Sequence, residues 1–278
     1  MKKKLKQSSD NVTIPMTSIE TGHGIEIRDD VYFFTNQIVN VIMIGKPGSD
    51  WVLIDAGMPH SYNEIVAHAE SRFGLRPPSA ILLTHGHFDH VGSIVDLLEK
   101  WNVNVYAHPD EFPYLNGEQA YPEPDATVEG GLLAKISTMY PHEPIDIKPV
   151  LLPLPEDHSV PFLPGWIWLH TPGHSPGHVS FFREADRMLI AGDAFVTVRQ
   201  DSFYKVLLQK MELNGPPRYL TTDWVKAEES VRKLRDIVPI SVITGHGKAM
   251  EGEKLKLGLE DLVQRFQEVA VPEHGKFV

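Results

Sequence analysis

The sequence predicts an α/β (α+β) protein in which two mixed β-sheets pack together with helices outside. Three features carry that expectation. Short β-rich runs crowd the start of the chain, strand-then-helix patterns follow in two loosely similar halves, and 278 residues with a 42% hydrophobic fraction suffice to bury a full core. Sheets and helices with one apolar face are satisfied by layering against one another.

The elements follow in order. Between Gly24 and Ala56 the runs Ile25 to Ile27, Val31 to Thr35, Ile38 to Ile44 and Trp51 to Asp55 read as an antiparallel meander, with Lys46-Pro47-Gly48-Ser49-Asp50 as a hairpin turn. Ile65, Ala69 and Phe73 have helical spacing, and Gly74 with Pro77-Pro78 ends that helix. A strand at Ala80 to Leu83 delivers a histidine cluster, a helix spans Val91 to Trp101, and a short strand follows at Val103 to Ala107. Prolines recur from 109 to 165 and mark an insertion, with one helix expected at Glu129 to Met139. Strands resume at Trp166 to His170, His178 to Arg183 and Arg187 to Ala191. A helix-rich stretch from Ser202 to Ile237, a strand at Ser241 to Thr244 and a closing helix from about Glu253 to Val269 complete the chain. One domain over residues 21–278 is expected, preceded by a flexible N-terminal tail at 1–20.

Composition narrows the function. A net charge of −11 with no Lys/Arg cluster in the body of the chain argues against nucleic acid as a partner and leaves a small molecule as the expected substrate. The absence of cysteine removes disulfides and thiolate ligands, so any metal is held by histidine and carboxylate. No run approaches the ~20 apolar residues of a membrane span, and the basic MKKKLKQSSD start lacks an apolar stretch, so a cytoplasmic location is expected. Oligomeric state is not legible.

The chemistry is concentrated at strand ends. Thr84-His85-Gly86-His87-Phe88-Asp89-His90 places His85, His87, Asp89 and His90 within six positions, a density that core packing does not explain, because each group needs a hydrogen-bonding or metal partner once desolvated. Alternation on extended backbone projects His85, His87 and Asp89 similarly, with His90 following the turn into a helix. The four groups suffice to be shared by two metals. Thr171-Pro172-Gly173-His174-Ser175-Pro176-Gly177-His178 sets His174 in a loop fixed by Gly and Pro, Gly192-Asp193 ends another strand, and Gly245-His246-Gly247 ends a fourth. Polar residues at several strand ends are how a rigid scaffold converges a site.

These motifs in this order resemble the metallo-β-lactamase-fold hydrolase superfamily, from about residue 25 onward, and within it the glyoxalase II-like thioesterases and related bacterial hydrolases. The resemblance implies an αββα sandwich and a dinuclear metal centre: His85, His87 and His174 on one ion, Asp89, His90 and His246 on the other, Asp193 bridging. It implies two divalent ions, with zinc expected and iron or manganese as alternatives. A metal-bridged hydroxide would hydrolyse an ester, thioester or lactone, with Asp89 also shuttling a proton. Lactamases of the fold commonly carry Cys or Ser where Asp193 stands, which points away from β-lactams. The tyrosine typical of lactonases three residues after the bridging aspartate is Val196 here, which weakens the lactone reading.

Lesser candidates complete the expectation. Asp55 stands where the superfamily often has an acid that orients a metal-bound histidine, against a capping or turn role. Arg199, Tyr204, Lys205 and His178 are candidate substrate contacts, against a solvated helix face for the first three and a satisfied structural histidine for the last. Trp166, Phe195, Phe203 and Trp224 either line an acyl pocket or belong to the core. Two other reactions use related sites: thiol or persulfide oxidation at a single iron, and phosphodiester cleavage at two metals.

Overall fold

Alternating apolar runs separated by tight turns dominate the start of the chain, and they fold as the expected meander. The computed structural model describes residues 4–14, 16–129, 136–198, 207–209 and 211–278. The chain divides into two compact units, Met1–Tyr121 with Pro141–Pro164 and Pro122–Tyr140 with Gly165–Val278.

In the first unit β1 (Gly24–Arg28), β2 (Val31–Asn36), β3 (Val39–Ile44) and β4 (Val52–Ile54) pair antiparallel in sequence order. Then β5 (Ala80–Leu82), β6 (Val105–Ala107) and β7 (Leu151–Pro153) add in parallel to complete a seven-stranded mixed sheet. Parallel neighbours need crossovers. The helix α1 (Tyr62–Phe73) supplies the first, and α2 (Phe88–Val91) with α3 (Ile94–Trp101) the second. Ile65, Ala69 and Phe73 of α1 and Ile94, Leu97 and Leu98 of α3 share one cluster with Val41, Leu53, Ile81 and Val105 of the sheet. Trp51 stacks on Phe73 with ring centroids 4.4 Å apart, closing the end of that cluster. A short α4 (Phe112–Leu115) follows β6.

In the second unit β8 (Trp166–His170), β9 (Val179–Arg183) and β10 (Met188–Gly192) run antiparallel, and β13 (Ser241–Thr244) lies parallel to β10 with β14 (Met250–Glu251) outside it. A separate pair joins β11 (Val196–Val198) to β12 (Met211–Asn214). The helix α5 (Trp224–Asp236) starts where the Asp223 carboxylate accepts the Lys226 N–H at 3.0 Å. Leu255, Leu259 and Leu262 of α6 (Gly252–Gln264) and Phe266 of α7 (Phe266–Val269) join Trp224, Ala227, Val231 and Leu234 over Leu189, Ala191 and Val242.

Two mixed sheets with helices are the fold class the sequence predicts, and several details differ. The helix expected from Val91 to Trp101 is broken at Gly92 and Ser93, whose N–H groups leave the helical ladder for the carbonyls of Gly57 and Ala56, an approach so close that a Cβ at Gly92 would collide with the backbone of Met58 and Pro59. There Gly92 N–H donates to Gly57 O at 2.9 Å, and Ser93 Oγ accepts from Ser61 N–H at 2.7 Å while donating to Met58 O at 2.9 Å. The break leaves Asp89 inside α2, whereas extended backbone was expected there. Within the stretch read as helix-rich, Met211–Asn214 is a strand; its four residues are too few to show a period, and pairing with Val196–Val198 decides the conformation. The helix expected at Glu129 to Met139 falls largely outside the described residues, which show a 3-10 turn at Ser137–Met139. Described residues of the expected tail are docked on the first unit. Lys6 pairs with Asp146 through two backbone bonds of 2.9 Å, the Gln7 amide donates to Gly92 O at 3.2 Å, and Asp10 accepts the His142 N–H at 2.8 Å. No described helix is long and apolar enough to cross a membrane.

Candidate functional site

The histidine-rich segment begins where β5 stops. Leu83 N–H still donates to Tyr106 O at 2.9 Å, and the chain then leaves the sheet through Thr84. His85, His87, Asp89 and His90 are all buried. His85 and His87 offer ligand atoms within 4.8 Å of one another, as do His85 with His90 and Asp89 with His90. The His85 and His87 rings meet edge to face at 4.6 Å, and those of His85 and His90 at 4.2 Å.

Hydrogen bonds decide which nitrogen each ring presents. Asp55, in a left-handed conformation with φ 61 at the end of β4, accepts the Thr84 N–H and the Thr84 hydroxyl, both at 2.8 Å. Its Oδ2 lies 2.8 Å from His90 Nδ1. A carboxylate only accepts, so His90 carries its proton on Nδ1 and offers the Nε2 lone pair. The Thr84 hydroxyl has given its hydrogen to Asp55, so its oxygen accepts from His85 Nδ1 at 3.0 Å, and His85 likewise presents Nε2. One buried carboxylate and one threonine thereby set two imidazoles in the same tautomer.

The second unit repeats the device. Thr221 Oγ1 donates to Pro217 O at 2.8 Å and accepts from His174 Nδ1 at 3.1 Å, so His174 again presents its Nε2 lone pair. The loop that carries His174 is anchored by α5: Thr222 and Asp223 N–H groups donate to Gly173 O, and Ser230 Oγ donates to Pro172 O at 2.7 Å. His174 Nε2 lies 3.5 Å from Asp193 Oδ2, and His246 Nε2 lies 3.2 Å from the same oxygen. Asp193 thus faces both His174 and His246. The His246 carbonyl accepts the Thr244 hydroxyl at 2.7 Å and the Thr197 N–H at 3.2 Å, which ties that loop to β11.

His178 shares the tautomer of His85, His90 and His174, but its Nε2 is engaged by the backbone. Asp193 N–H donates to its Nε2 at 2.9 Å, so the proton sits on Nδ1, which reaches Thr171 Oγ1 at 2.9 Å and Thr171 O at 3.1 Å. Ser180 Oγ, 3.0 Å from Thr171 Oγ1, donates to Ala191 O at 2.9 Å. His178 is fully buried and both ring nitrogens serve this network, so the structure gives it a support of the Asp193 turn rather than a surface for substrate. Arg199, Tyr204, Lys205 and Phe203 lie outside the described residues. Phe195 and Trp224 are part of the core of the second unit, and Trp166 is buried under the Arg183 guanidinium.

Two buried residues near the histidines carry no sequence signal. Glu111 Oε2 accepts the Gly86 N–H at 2.9 Å and the Tyr121 hydroxyl, and the same Gly86 N–H reaches Tyr121 Oη at 3.0 Å. Burial, and then the adjacent Glu111 carboxylate, hold the Tyr121 phenol well above the ordinary tyrosine range, so it is a neutral donor. Both lie in the proline-rich segment, where no periodicity singles them out.

The donor set fits divalent cations. Imidazoles that present Nε2 lone pairs stand beside buried carboxylates in a chain without thiolates, and neutral nitrogen with carboxylate oxygen suits zinc, iron and manganese alike.

Comparison with known proteins agrees with this geometry. A family model described as the metallo-beta-lactamase superfamily matches residues 35–246. A probable metallo-hydrolase of Bacillus subtilis (strain 168), YflN, is 46% identical over 92% of this chain and 98% of its own length. A hydroxyacylglutathione hydrolase of Methylobacterium nodulans is 32% identical over 42% of this chain and 34% of that protein. Among solved structures, a B3 metallo-beta-lactamase with an active site glutamic acid superposes with a TM-score of 0.62 at 19% identity, over 90% of this chain and 89% of that one, a likeness of fold. TTHA1623 in a di-iron-bound form superposes with a TM-score of 0.53 at 27% identity, over 82% of this chain and 94% of that one.

Proposed function

Because this chain belongs to the metallo-β-lactamase superfamily, we propose that it is a two-metal hydrolase acting on an ester, thioester or lactone of a small molecule, with a thioester favoured. The observation that carries the proposal is the Asp193 carboxylate, whose Oδ2 faces His174 Nε2 at 3.5 Å and His246 Nε2 at 3.2 Å. The similarity to a hydroxyacylglutathione hydrolase supports the thioester class. His85, His87 and His174 would hold one ion, Asp89, His90 and His246 the other, and Asp193 would belong to both. Zinc is the proposed metal, with iron as the alternative that the di-iron-bound relative of known structure favours.

When bound, divalent ions would lower the pKa of water towards neutrality and polarise a carbonyl oxygen. The chain's own part is positioning and proton handling. Asp55 and Thr84 keep the Nε2 lone pairs of His90 and His85 available, and Thr221 does the same for His174. Water adds to the acyl carbon, Asp89 takes the proton released, the acyl–sulfur or acyl–oxygen bond breaks, and the leaving thiol or alcohol receives the proton that Asp89 held.

The test is a panel of thioesters, esters, lactones, β-lactams and phosphodiesters assayed on protein of measured metal content. The expected result is thioester or ester hydrolysis that scales with bound metal and disappears together with it in Asp193→Ala. Turnover confined to phosphodiesters, or oxygen uptake with thiol substrates at a single iron, would overturn the assignment.

A further inference from the structure

The peptide joining His85 to His87 is held from outside the motif. Its N–H, that of Gly86, is the shared donor to Glu111 Oε2 at 2.9 Å and to Tyr121 Oη at 3.0 Å, while the Tyr121 hydroxyl donates to the same Glu111 oxygen. Both clamp residues are themselves fixed. Glu111 is fully buried and ends a 3-10 turn, Pro109–Glu111, capped by the His108 side chain. Tyr121 stacks on Tyr114 with centroids 3.9 Å apart, packs its other neighbour, the His87 ring, at 4.4 Å, and donates its backbone N–H to His142 O at 2.9 Å. The fit around Gly86 is close enough that a Cβ there would lie 2.8 Å from Tyr121 Oη and 3.0 Å from Leu115 Cδ2.

We propose that Glu111 and Tyr121 are a positioning pair for the metal site, setting the orientation of the Gly86 peptide and, through it, the spacing of the His85 and His87 imidazoles. The proposal rests on the reading of His85 and His87 as ligands. One acceptor would satisfy the buried Gly86 N–H, yet two side chains distant in sequence converge on it, directly between His85 and His87. Ligand rings flanking a peptide move as that peptide rotates, so loosening it spreads the nitrogen positions even though no ligand is lost. Supporting hydrogen bonds of this kind typically change metal affinity by ~10–100-fold.

Cobalt(II) titration of metal-free protein, read both as a dissociation constant by chelator competition and as the ligand-field absorption spectrum, tests the pair. Tyr121→Phe and Glu111→Ala are expected to weaken cobalt binding by about 10-fold or more and to alter the spectrum. Glu111→Gln keeps an oxygen acceptor for Gly86 N–H and is expected to restore wild-type affinity and spectrum. A double variant gives a steric rescue: Gly86→Ala is expected to bind cobalt poorly, and Gly86→Ala combined with Tyr121→Phe to bind better than Gly86→Ala alone, because the hydroxyl that a Cβ would meet is gone. Wild-type affinity and an unchanged spectrum in both Tyr121→Phe and Glu111→Ala, while His85→Ala loses cobalt, would overturn the pairing and leave the metal reading intact. Cobalt binding to His85→Ala as tight as to wild type would overturn the metal reading and the pairing with it. Should Glu111→Ala fail to fold, Tyr121→Phe, which keeps the ring stacking, decides the question alone.

Discussion

Replacing Asp55 separates ligand orientation from fold stability. The Asp55 carboxylate is buried and accepts three hydrogen bonds, from Thr84 N–H, Thr84 Oγ1 and His90 Nδ1, each at 2.8 Å. Bonds to a charged acceptor contribute about 1.5 kcal/mol or more each. Asp55→Ala also places a Cβ residue without a local hydrogen bond at φ 61, which costs about 1 kcal/mol further. Removing the buried carboxylate recovers part of its own desolvation cost. The net loss is expected to be about 3–5 kcal/mol, read by urea unfolding of the metal-free protein. Asp55→Asn behaves differently. Asparagine tolerates the left-handed backbone, and its carbonyl oxygen still accepts the Thr84 N–H, so the stability loss is expected to be only about 1–2 kcal/mol. Its NH2 group, however, faces His90 Nδ1 as a donor, and the imidazole answers by moving its proton to Nε2, the nitrogen a metal needs. Affinity for the ion at His90 is expected to fall ~10–100-fold, with the tautomer change visible in nitrogen NMR of the ring. Wild-type metal affinity in Asp55→Asn would show that the Asp55 carboxylate does not set the His90 tautomer.

Three further outcomes follow from the same packing. His178→Ala strands the Asp193 N–H in the interior and is expected to cost about 1–3 kcal/mol, with a loss of metal that Asp193 holds; thermal melting together with metal content checks both. Gly92→Ala pushes α2 and α3 off the Met58-Pro59 backbone and is expected to lower the melting temperature by more than a surface substitution does, with weaker metal binding through His90; an unchanged melt would contradict the close approach. Asp10 supplies a pH dependence. Burial raises its pKa, but the Ser8 hydroxyl and the His142 and Glu143 N–H groups outweigh burial and leave it lowered. A lowered folded-state value stabilises above the unfolded pKa of about 3.9, and that contribution is lost as pH falls through the lower folded value. Hydrogen-exchange protection factors in residues 4–14, corrected for the intrinsic rate at each pH, are expected to fall on acidification below about pH 4 in the wild type, and to lose that fall in Asp10→Asn.

Much of the fold was legible because long apolar runs and turn chemistry agree locally. The meander from Ile25 to Ile54 and the helix through Ile65, Ala69 and Phe73 needed no tertiary information. Legibility failed where a distant segment decides the outcome. The Gly92 break depends on residues 57 to 59, the strand at Met211–Asn214 on its pairing with Val196–Val198, and the docking of residues 4–14 on backbone groups of residues 91, 92 and 142 to 146. The same division runs through the site. His85, His87, Asp89, His90, His174, Asp193 and His246 announce themselves by density or by Gly and Pro punctuation at strand ends. Thr84, Thr221, Glu111 and Tyr121 are ordinary residue types whose parts are set only by what they touch. Histidine identity alone was ambiguous as well: His174 and His178 are four residues apart, and only the hydrogen-bond partner of each ring nitrogen tells the proposed ligand from its support.

Asp193 is proposed to belong to two ions that together carry out hydrolysis. Metal analysis of wild type and Asp193→Ala, run beside a thioester assay on the same samples, tests it most directly. Two ions per wild-type chain are expected, as in other two-metal sites, with loss of metal and turnover together in the variant. Full turnover in metal-free Asp193→Ala protein would contradict it.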